Sequence, residues 1–538
     1  MAGTVFEAFV DTRATHPAHP FVMLPARADR AWWPDGLIRS YDEVLSDALA
    51  LIPRYQAAGY GHGHRVALLF ETRPEFWPHY LALNALGIGI VPINPDYRHD
   101  ELVYLIEHSE AALVLVVPGR IADLERAVAA TDAKPNVIDL IDLPPSLPPA
   151  RTPPPNRKDP DHATECALLY TSGTTGRPKG CILTNFYFLN AGRSYLAHGG
   201  AMTIRRGLDR IYNPLPLYHM NHLTVSATGA ILSANTVIVP ERFSPKRWWR
   251  EVCDTGATII HYLGIVAPVL MNEAPGPLDR AHRVRFGLGA GIEPQLHGAF
   301  EERFGFPMIE VWGMTETGRV FADAHEPRSI TTRAFGRPNA EMQARVVDDQ
   351  DRDVPVGTPG ELIVRHSAEA PRHGFFSGYL KNEVATEEAW RGGWFHTGDV
   401  VTQDASGMLT FLDRKKHIVR RSGENIAAAE IEAVLQAHGD VAQVAVIAAP
   451  DEIRDEEVFA CVVPMPGVEP SPKLADALFA WANARLAYYK TPGWILFVET
   501  LPTTGTQKVQ KTQIFATGED PRQRAGAIDL RARKVRTA

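Results

Sequence analysis

The sequence predicts an α/β protein: a large N-terminal domain of stacked βαβ sheets with a small β-barrel-like part, then a smaller, mobile C-terminal α/β domain. Three observations predict it. Residues 65–94, RVALLFETRPEFWPHYLALNALGIGIVPIN, read as an apolar β-type run, a helix and a second β-type run, the order of a βαβ unit. Similar alternation recurs at 112–117, 236–240, 257–262 and 284–289, so a mostly parallel sheet under covering helices is the economical arrangement, with ligands in the loops after strand C-terminal ends. Past Asp413 the character changes, and the remaining residues suffice for a separate small domain.

Taken in order, the first unit's helix spans Glu75 to Leu86. Residues 143–160, LPPSLPPARTPPPNRKDP, are too proline-rich for helix or central strand and form a surface connector. Residues 356–365 and 407–413 read as short strands with turns, closer to a barrel or hairpin set than to βαβ. The final segment opens with a charged DRKKH stretch, then a strand at HIVRR, a turn at SGEN, a helix from Ala427 to Leu435 and a strand from Val441 to Ala448. The charged junction is where a hinge belongs, dividing the chain into 1–413 and 414–538.

With 538 residues, 45% of them hydrophobic and 22% charged, the chain can bury a large core. A net charge of −8 gives no general attraction to nucleic acid or an anionic membrane. Cys166, Cys181, Cys253 and Cys461 lie far apart without metal-ligand spacing, which fits reduced thiols and no structural zinc. The first twenty residues put charges where a signal peptide needs an apolar run, and the most apolar stretch, 256–271, holds His261 and Tyr262 and is short for a bilayer. Cytoplasmic residence is the expectation; oligomeric state is not readable.

The strongest chemical signal is residues 170–180, YTSGTTGRPKG. Gly173 and Gly176 let the backbone curl so that N–H groups converge on phosphate oxygens; Thr171, Ser172, Thr174 and Thr175 add hydroxyls and Lys179 adds charge. Alone, such a cluster is more often a plain polar loop, and it lacks the GxxxxGK[ST] spacing of a P-loop. It is followed, however, by PLYH at 216–219, GLGAG at 287–291, WGMTET at 312–317, GWFHTGDV at 393–400, DRKKHIVRRSGENIAAAEIE at 413–432 and LPTTGTQKVQK at 501–511. In this order the motifs resemble the adenylate-forming (ANL) superfamily in its acyl-CoA synthetase branch, over about residues 35–515. The wording of 413–432 is similar to bacterial acyl-CoA ligases grouped near crotonobetaine/carnitine:CoA ligase.

The resemblance implies ATP, Mg²⁺ and coenzyme A as cofactors and a small carboxylic acid as substrate, activated as an acyl-adenylate. It implies that Thr171 to Lys179 wraps the β- and γ-phosphates, that Thr315 touches the α-phosphate, and that Glu316 helps hold Mg²⁺. Adenosine is expected between the turn Gly289-Ala290-Gly291 and the segment Trp312-Gly313-Met314, stacked on Trp312. Asp399 is expected to accept from the ribose hydroxyls and Arg414 to contact ribose or phosphate. Lys508 matches the lysine that bridges the acid and the α-phosphate, with Lys511 as a structural rival; Lys416 falls at the hinge; the turn at Gly423 lines the pantetheine channel after the small domain swings. His219 resembles the pocket or gate residue of CoA ligases. Three departures stand out: Gln507 where relatives usually have Gly, Ala428 where many have Pro, and Asn221-His222 where a small residue is usual.

The stretch 218–222 holds no aspartate for an α-amino group, so the acid is not expected to be an α-amino acid; a short, functionalised or ring-bearing acid is. Two alternatives stay open, an adenylating enzyme that passes the acyl group to a carrier protein or amine, and a non-catalytic AMP-binding regulator. The basic tail, Arg522 to Arg536, has the charge to touch the CoA 3′-phosphate, but a solvated or partly disordered terminus is the expectation.

Overall fold

Two parallel-cored sheets do most of the positioning. In this computed structural model the described residues are all but 1, 172–176, 265, 293, 415–417, 503–508, 510, 512, 513, 517 and 536–538, and the side chains of 413, 414, 418, 425, 427, 429 and 433 are likewise not described. Tertiary contacts divide the chain into one unit of Met1–Pro95, Ile106–Tyr170 and Gly180–Asp413 and another of Asp96–Leu105, Thr171–Lys179 and Arg414–Ala538.

The larger sheet has eight strands in the order Val320–Ala322, Met308–Gly313, Phe286–Ala290, Ile259–Leu263, Arg210–Tyr212, Thr236–Ile238, Pro20–Leu24 and Leu37–Ser40. Its six inner strands are parallel, and an antiparallel strand closes each edge. Side chains alternate across such strands. Ile260 and Tyr262 therefore enter an apolar core with Trp248, Phe300 and Met308, whereas His261, on the opposite face, meets Tyr195 of the helix Asn185–Ala197.

The second sheet contains the expected βαβ unit. The strand Arg65–Leu69, the helix Phe76–Ala85 and the parallel strand Gly89–Pro92 follow one another, and Leu113–Val116 pairs in parallel with the first of these strands. The hairpin set is an antiparallel five-stranded sheet whose long strand, Phe395–Gln403, carries Asp399. The proline-rich connector is neither helix nor strand; its carbonyls accept hydrogen bonds, that of Pro148 from the Tyr60 hydroxyl at 3.1 Å. Among the described residues no helix is long and apolar enough to cross a membrane.

The second unit folds around Ala445, Phe459, Cys461, Leu496 and Leu501. Its hairpin Ile418–Arg421 and Glu424–Ala427 turns through Ser422 and Gly423, at φ 52° and 85°, the left-handed pair that a tight antiparallel turn requires. The second strand runs straight into the helix Ala428–Gln436, with Ala428 as its first residue.

The basic tail departs from expectation. Ile528–Asp529 adds a strand beside Trp494–Phe497, Arg531 pairs with Asp451 at 2.9 Å, and the Lys534 ammonium is wholly buried against Glu457 at 2.5 Å. Glu457 also accepts from Arg421 Nε at 2.8 Å, and Lys534 donates to the carbonyl of Thr491 at 2.6 Å. Burial and the nearby Arg421 guanidinium push Lys534 down to about 7. Read locally, arginines and lysines at a terminus suggest solvent; their acidic partners lie far upstream in sequence.

Candidate functional site

The strand Phe286–Ala290 delivers the turn Gly289-Ala290-Gly291 to the C-terminal edge of the larger sheet. A Cβ at Gly289 would fall 2.2 Å from the Tyr262 carbonyl oxygen, and one at Gly264 would fall 2.1 Å from that of Gly291. Only glycine permits this approach. Glu310, on the adjacent strand, fixes the turn by accepting the N–H groups of Gly291 at 2.9 Å and Ile292 at 3.2 Å, and the Tyr262 hydroxyl at 2.6 Å. Glu310 is 7% exposed, and burial raises its carboxyl above the usual range. The sequence reading missed Glu310 and Tyr262; the one available signal was a lone acid inside the otherwise apolar strand MIEVW.

Two residues further along the same strand as Glu310, Trp312 donates its indole N–H to Asp399 Oδ2 at 2.8 Å. Its ring stacks on Phe321, 5.6 Å between centroids and tilted by 22°. Asp399 is 1% exposed, so the expected adenine platform and ribose acceptor are one bonded pair. Gly313 is exposed and Met314 half-buried. The loop beyond is tied down: Tyr187 donates to the Thr315 carbonyl at 2.6 Å, Tyr379 to Glu316 Oε1 at 2.8 Å, and Phe376 N–H to the Glu316 carbonyl at 2.9 Å.

His219 is half-buried at the start of a helical segment whose residues 221–226 form a π-turn, a widened helix often found at functional positions. Asn213, following the strand Arg210–Tyr212, has both amide hydrogens engaged, by Asn221 Oδ1 at 3.0 Å and Ser226 Oγ at 2.8 Å, while its own oxygen accepts Leu215 N–H at 3.0 Å. Asn221 Oδ1 also faces His261 Nδ1 at 2.7 Å, and His261 Nε2 meets the Tyr195 hydroxyl at 3.1 Å. His222 Nδ1 donates to the Leu215 carbonyl at 2.6 Å. Burial pushes His222 down to about 4 and His261 down to about 3, so both rings are neutral at pH 7.

Other expected residues belong to the second unit. Thr171 ends one strand and Lys179 begins the next; Ser172, Gly173, Thr174, Thr175 and Gly176 lie outside the described residues, as do Lys416, Lys508 and the Arg414 side chain. Gly423 is exposed in its hairpin turn. Lys511 pairs with Glu432 at 2.6 Å, a structural use. Among the described residues no cluster of three or more His, Cys, Asp or Glu could hold a metal unaided.

Residues 12–380 match the AMP-binding enzyme family and residues 430–508 the AMP-binding enzyme C-terminal domain. A sulfoacetate–CoA ligase of Cupriavidus necator is 31% identical, over 90% of this chain and 95% of that protein. A crotonobetaine/carnitine–CoA ligase of Proteus mirabilis is 28% identical, over 88% and 92%. Among solved structures, the amide bond synthetase McbA of Marinactinospora thermotolerans superposes with a TM-score of 0.78 at 25% identity, over 95% of this chain and 99% of that one. With the glycine turn, the Trp312–Asp399 pair and both family segments in one order, the chain belongs to the AMP-binding enzymes.

Proposed function

We propose that the protein is an AMP-forming carboxylic acid:CoA ligase: an acid and ATP give acyl-adenylate and pyrophosphate, and CoA then gives acyl-CoA and AMP. The observation that carries this reading is the buried Trp312–Asp399 pair beside a glycine turn held by Glu310. Adenosine presents hydroxyl and amino donors, and buried carboxylates are the acceptors that match them. The aromatic face of Trp312 and the side-chain-free Gly289–Gly291 suit the flat base.

In the first step a carboxylate oxygen of the acid bonds to the α-phosphorus while the bond from that phosphorus to the bridging oxygen breaks, releasing pyrophosphate. Both reactants are anions, so charge must be neutralised where they meet. Thr171, Lys179 and the intervening hydroxyls serve the outer phosphates, Thr315 the α-phosphate, and Lys508 the charge that builds between acid and phosphate, a task suited to a mobile ammonium. A single buried carboxylate, Glu316, already bonded on one oxygen by Tyr379, fits Mg²⁺, which takes few protein ligands and several phosphate and water oxygens. When bound, that ion neutralises phosphate charge. In the second step the thiol sulfur of CoA bonds to the acyl carbon, AMP departs and the thiol proton is lost; the Gly423 turn serves this half-reaction.

On this reading 1–413 and 414–538 are the functional domains, with Arg414 and Lys416 at the hinge, and His219 flanks the acid. The dispersed thiols and the demand for ATP and CoA support cytoplasmic residence. The likeness to an amide bond synthetase keeps one second reading, in which an amine takes the acyl group. Acid-dependent pyrophosphate release with ATP and Mg²⁺, followed by offering CoA, holo-carrier protein or an amine, tests both. Acyl-CoA as the main product supports the first; amide or acylated carrier alone refutes it.

A further inference from the structure

We infer that Asn221 selects acids carrying a neutral oxygen acceptor, such as a hydroxyl, keto or ether oxygen, beyond the carboxylate. This rests on the ligase reading above and names its substrate class.

The argument begins at the Leu215 N–H. Because it donates to Asn213 Oδ1 at 3.0 Å, the Asn213 amide has one orientation, and its two hydrogens point at Asn221 and Ser226. Asn221 must therefore present oxygen, not nitrogen, toward Asn213; turned over, two amino groups would face each other. The same oxygen faces His261 Nδ1 at 2.7 Å. That nitrogen then carries the ring proton, and Nε2 accepts the Tyr195 hydroxyl. The chain Tyr195 to His261 to Asn221 is thus directional, and Asn213 closes it from the other side.

All of this holds one end of the Asn221 side chain. Among the described residues nothing accepts from its other end, the Nδ2 amino group, although Asn213, His261 and Tyr195 are buried and Asn221 itself is only partly exposed. The amide is thus pinned through its oxygen, while its two donor hydrogens stand at a partly exposed position where a ligand oxygen can replace water. It lies two residues beyond His219, in the π-turn, bonded to Asn213 just past the strand Arg210–Tyr212 and to His261 within the strand Ile259–Leu263. The latter strand pairs in parallel with the one that leads into Gly289–Gly291, His261 standing opposite Leu288, in a sheet whose carboxyl-end loops are where ligands are expected.

The cluster also says what the acceptor is not. Asn213, Asn221, Ser226, His222, His261 and Tyr195 carry no charge at neutral pH, the histidines because burial holds them neutral. A second carboxylate or a sulfonate would leave water for a site that supplies dipoles and no counter-ion, a poor exchange. A neutral oxygen loses little and gains the amide.

The test is a set of matched acids in the pyrophosphate-release assay: acetoacetate against butanoate, levulinate against pentanoate, mandelate against phenylacetate, with malonate and succinate as doubly charged controls. The full-length enzyme is expected to favour the oxygenated partner by about tenfold or more in kcat/KM in at least one pair. In Asn221→Leu that ratio falls to within about twofold. Asn221→Asp keeps an oxygen for Asn213 and His261 but replaces the donor, and takes the ratio to one or below. His261→Phe touches only the positioning of the amide and lowers the ratio about threefold. A wild-type enzyme fastest on malonate or succinate, one indifferent to the oxygen in every pair, or a ratio unmoved in all three variants overturns the inference alone. Pyrophosphate release with none of the acids overturns it together with the ligase reading.

Discussion

The two sides of the larger unit's site are built from opposite materials. On the proposed nucleotide side the polar groups are buried carboxylates, Glu310, Glu316 and Asp399, each bonded to a tyrosine or tryptophan or to backbone N–H. On the proposed acid side they are neutral: the amides of Asn213 and Asn221 and the imidazole of His261 form a chain, and a second uncharged imidazole, His222, bonds the Leu215 carbonyl. On the reading proposed above, the difference follows from what each side would receive. Adenosine is neutral and rich in donors, so fixed negative acceptors suit it. An acid arrives already negative, and further anions beside it would repel it while bare cations would hold its carboxylate in the wrong place.

That contrast can be broken most sharply at Glu316. Glu316→Gln should lower pyrophosphate release by about 10²–10³-fold with every acid, leaving the ranking of acids intact; a change in ranking would mean that the two sides are not separate. Acidification should act on them in opposite senses. His222 and His261 have folded values of about 4 and about 3, below the usual value near 6.5, so their stabilisation is full above pH 6.5 and is lost as pH falls toward those values, by about 3 kcal/mol each at pH 4. Glu310, raised by burial, binds its proton more readily folded than unfolded, so acid relieves strain there. Urea unfolding from pH 7 to 4, compared between wild type and His222→Gln, measures the difference; a flatter profile is expected in the variant.

Smaller effects sharpen the picture. Trp312→Phe retains an aromatic face but removes the N–H to Asp399, and should raise the KM for ATP about three- to tenfold while leaving the oxygenated-to-methylene acid ratio unchanged. Lys511→Met, which loses a partly exposed pair with Glu432, should cost at most about 1 kcal/mol of stability and spare adenylation, whereas Lys508→Ala should abolish most of it. Equal losses in the two lysine variants would reassign the role.

What the sequence made legible was local. Glycine strings, hydroxyl clusters and alternating runs announce turns and strands within a few residues, which is why 65–94, 287–291 and the Ser422-Gly423 turn could be read directly. Glu310 could not, because its meaning comes from register: it sits opposite Gly289 across a parallel ladder, and nothing in MIEVWG states that pairing. Asn213 and His261 were equally silent, being brought to Asn221 by sheet order. The tail was misread for the same reason, since Asp451 and Glu457 are distant in sequence from the cations they neutralise.

One of those buried contacts joins the opening hairpin of the second unit to its tail. Glu457 compensates both Arg421, which opens the hairpin turn, and Lys534. Without Lys534 the carboxylate would keep the Arg421 guanidinium and the Val458 N–H, but this buried charge would lose one of its two counter-ions. The strand leading into Gly423 is thus coupled, through one shared carboxylate, to a lysine far downstream in the sequence.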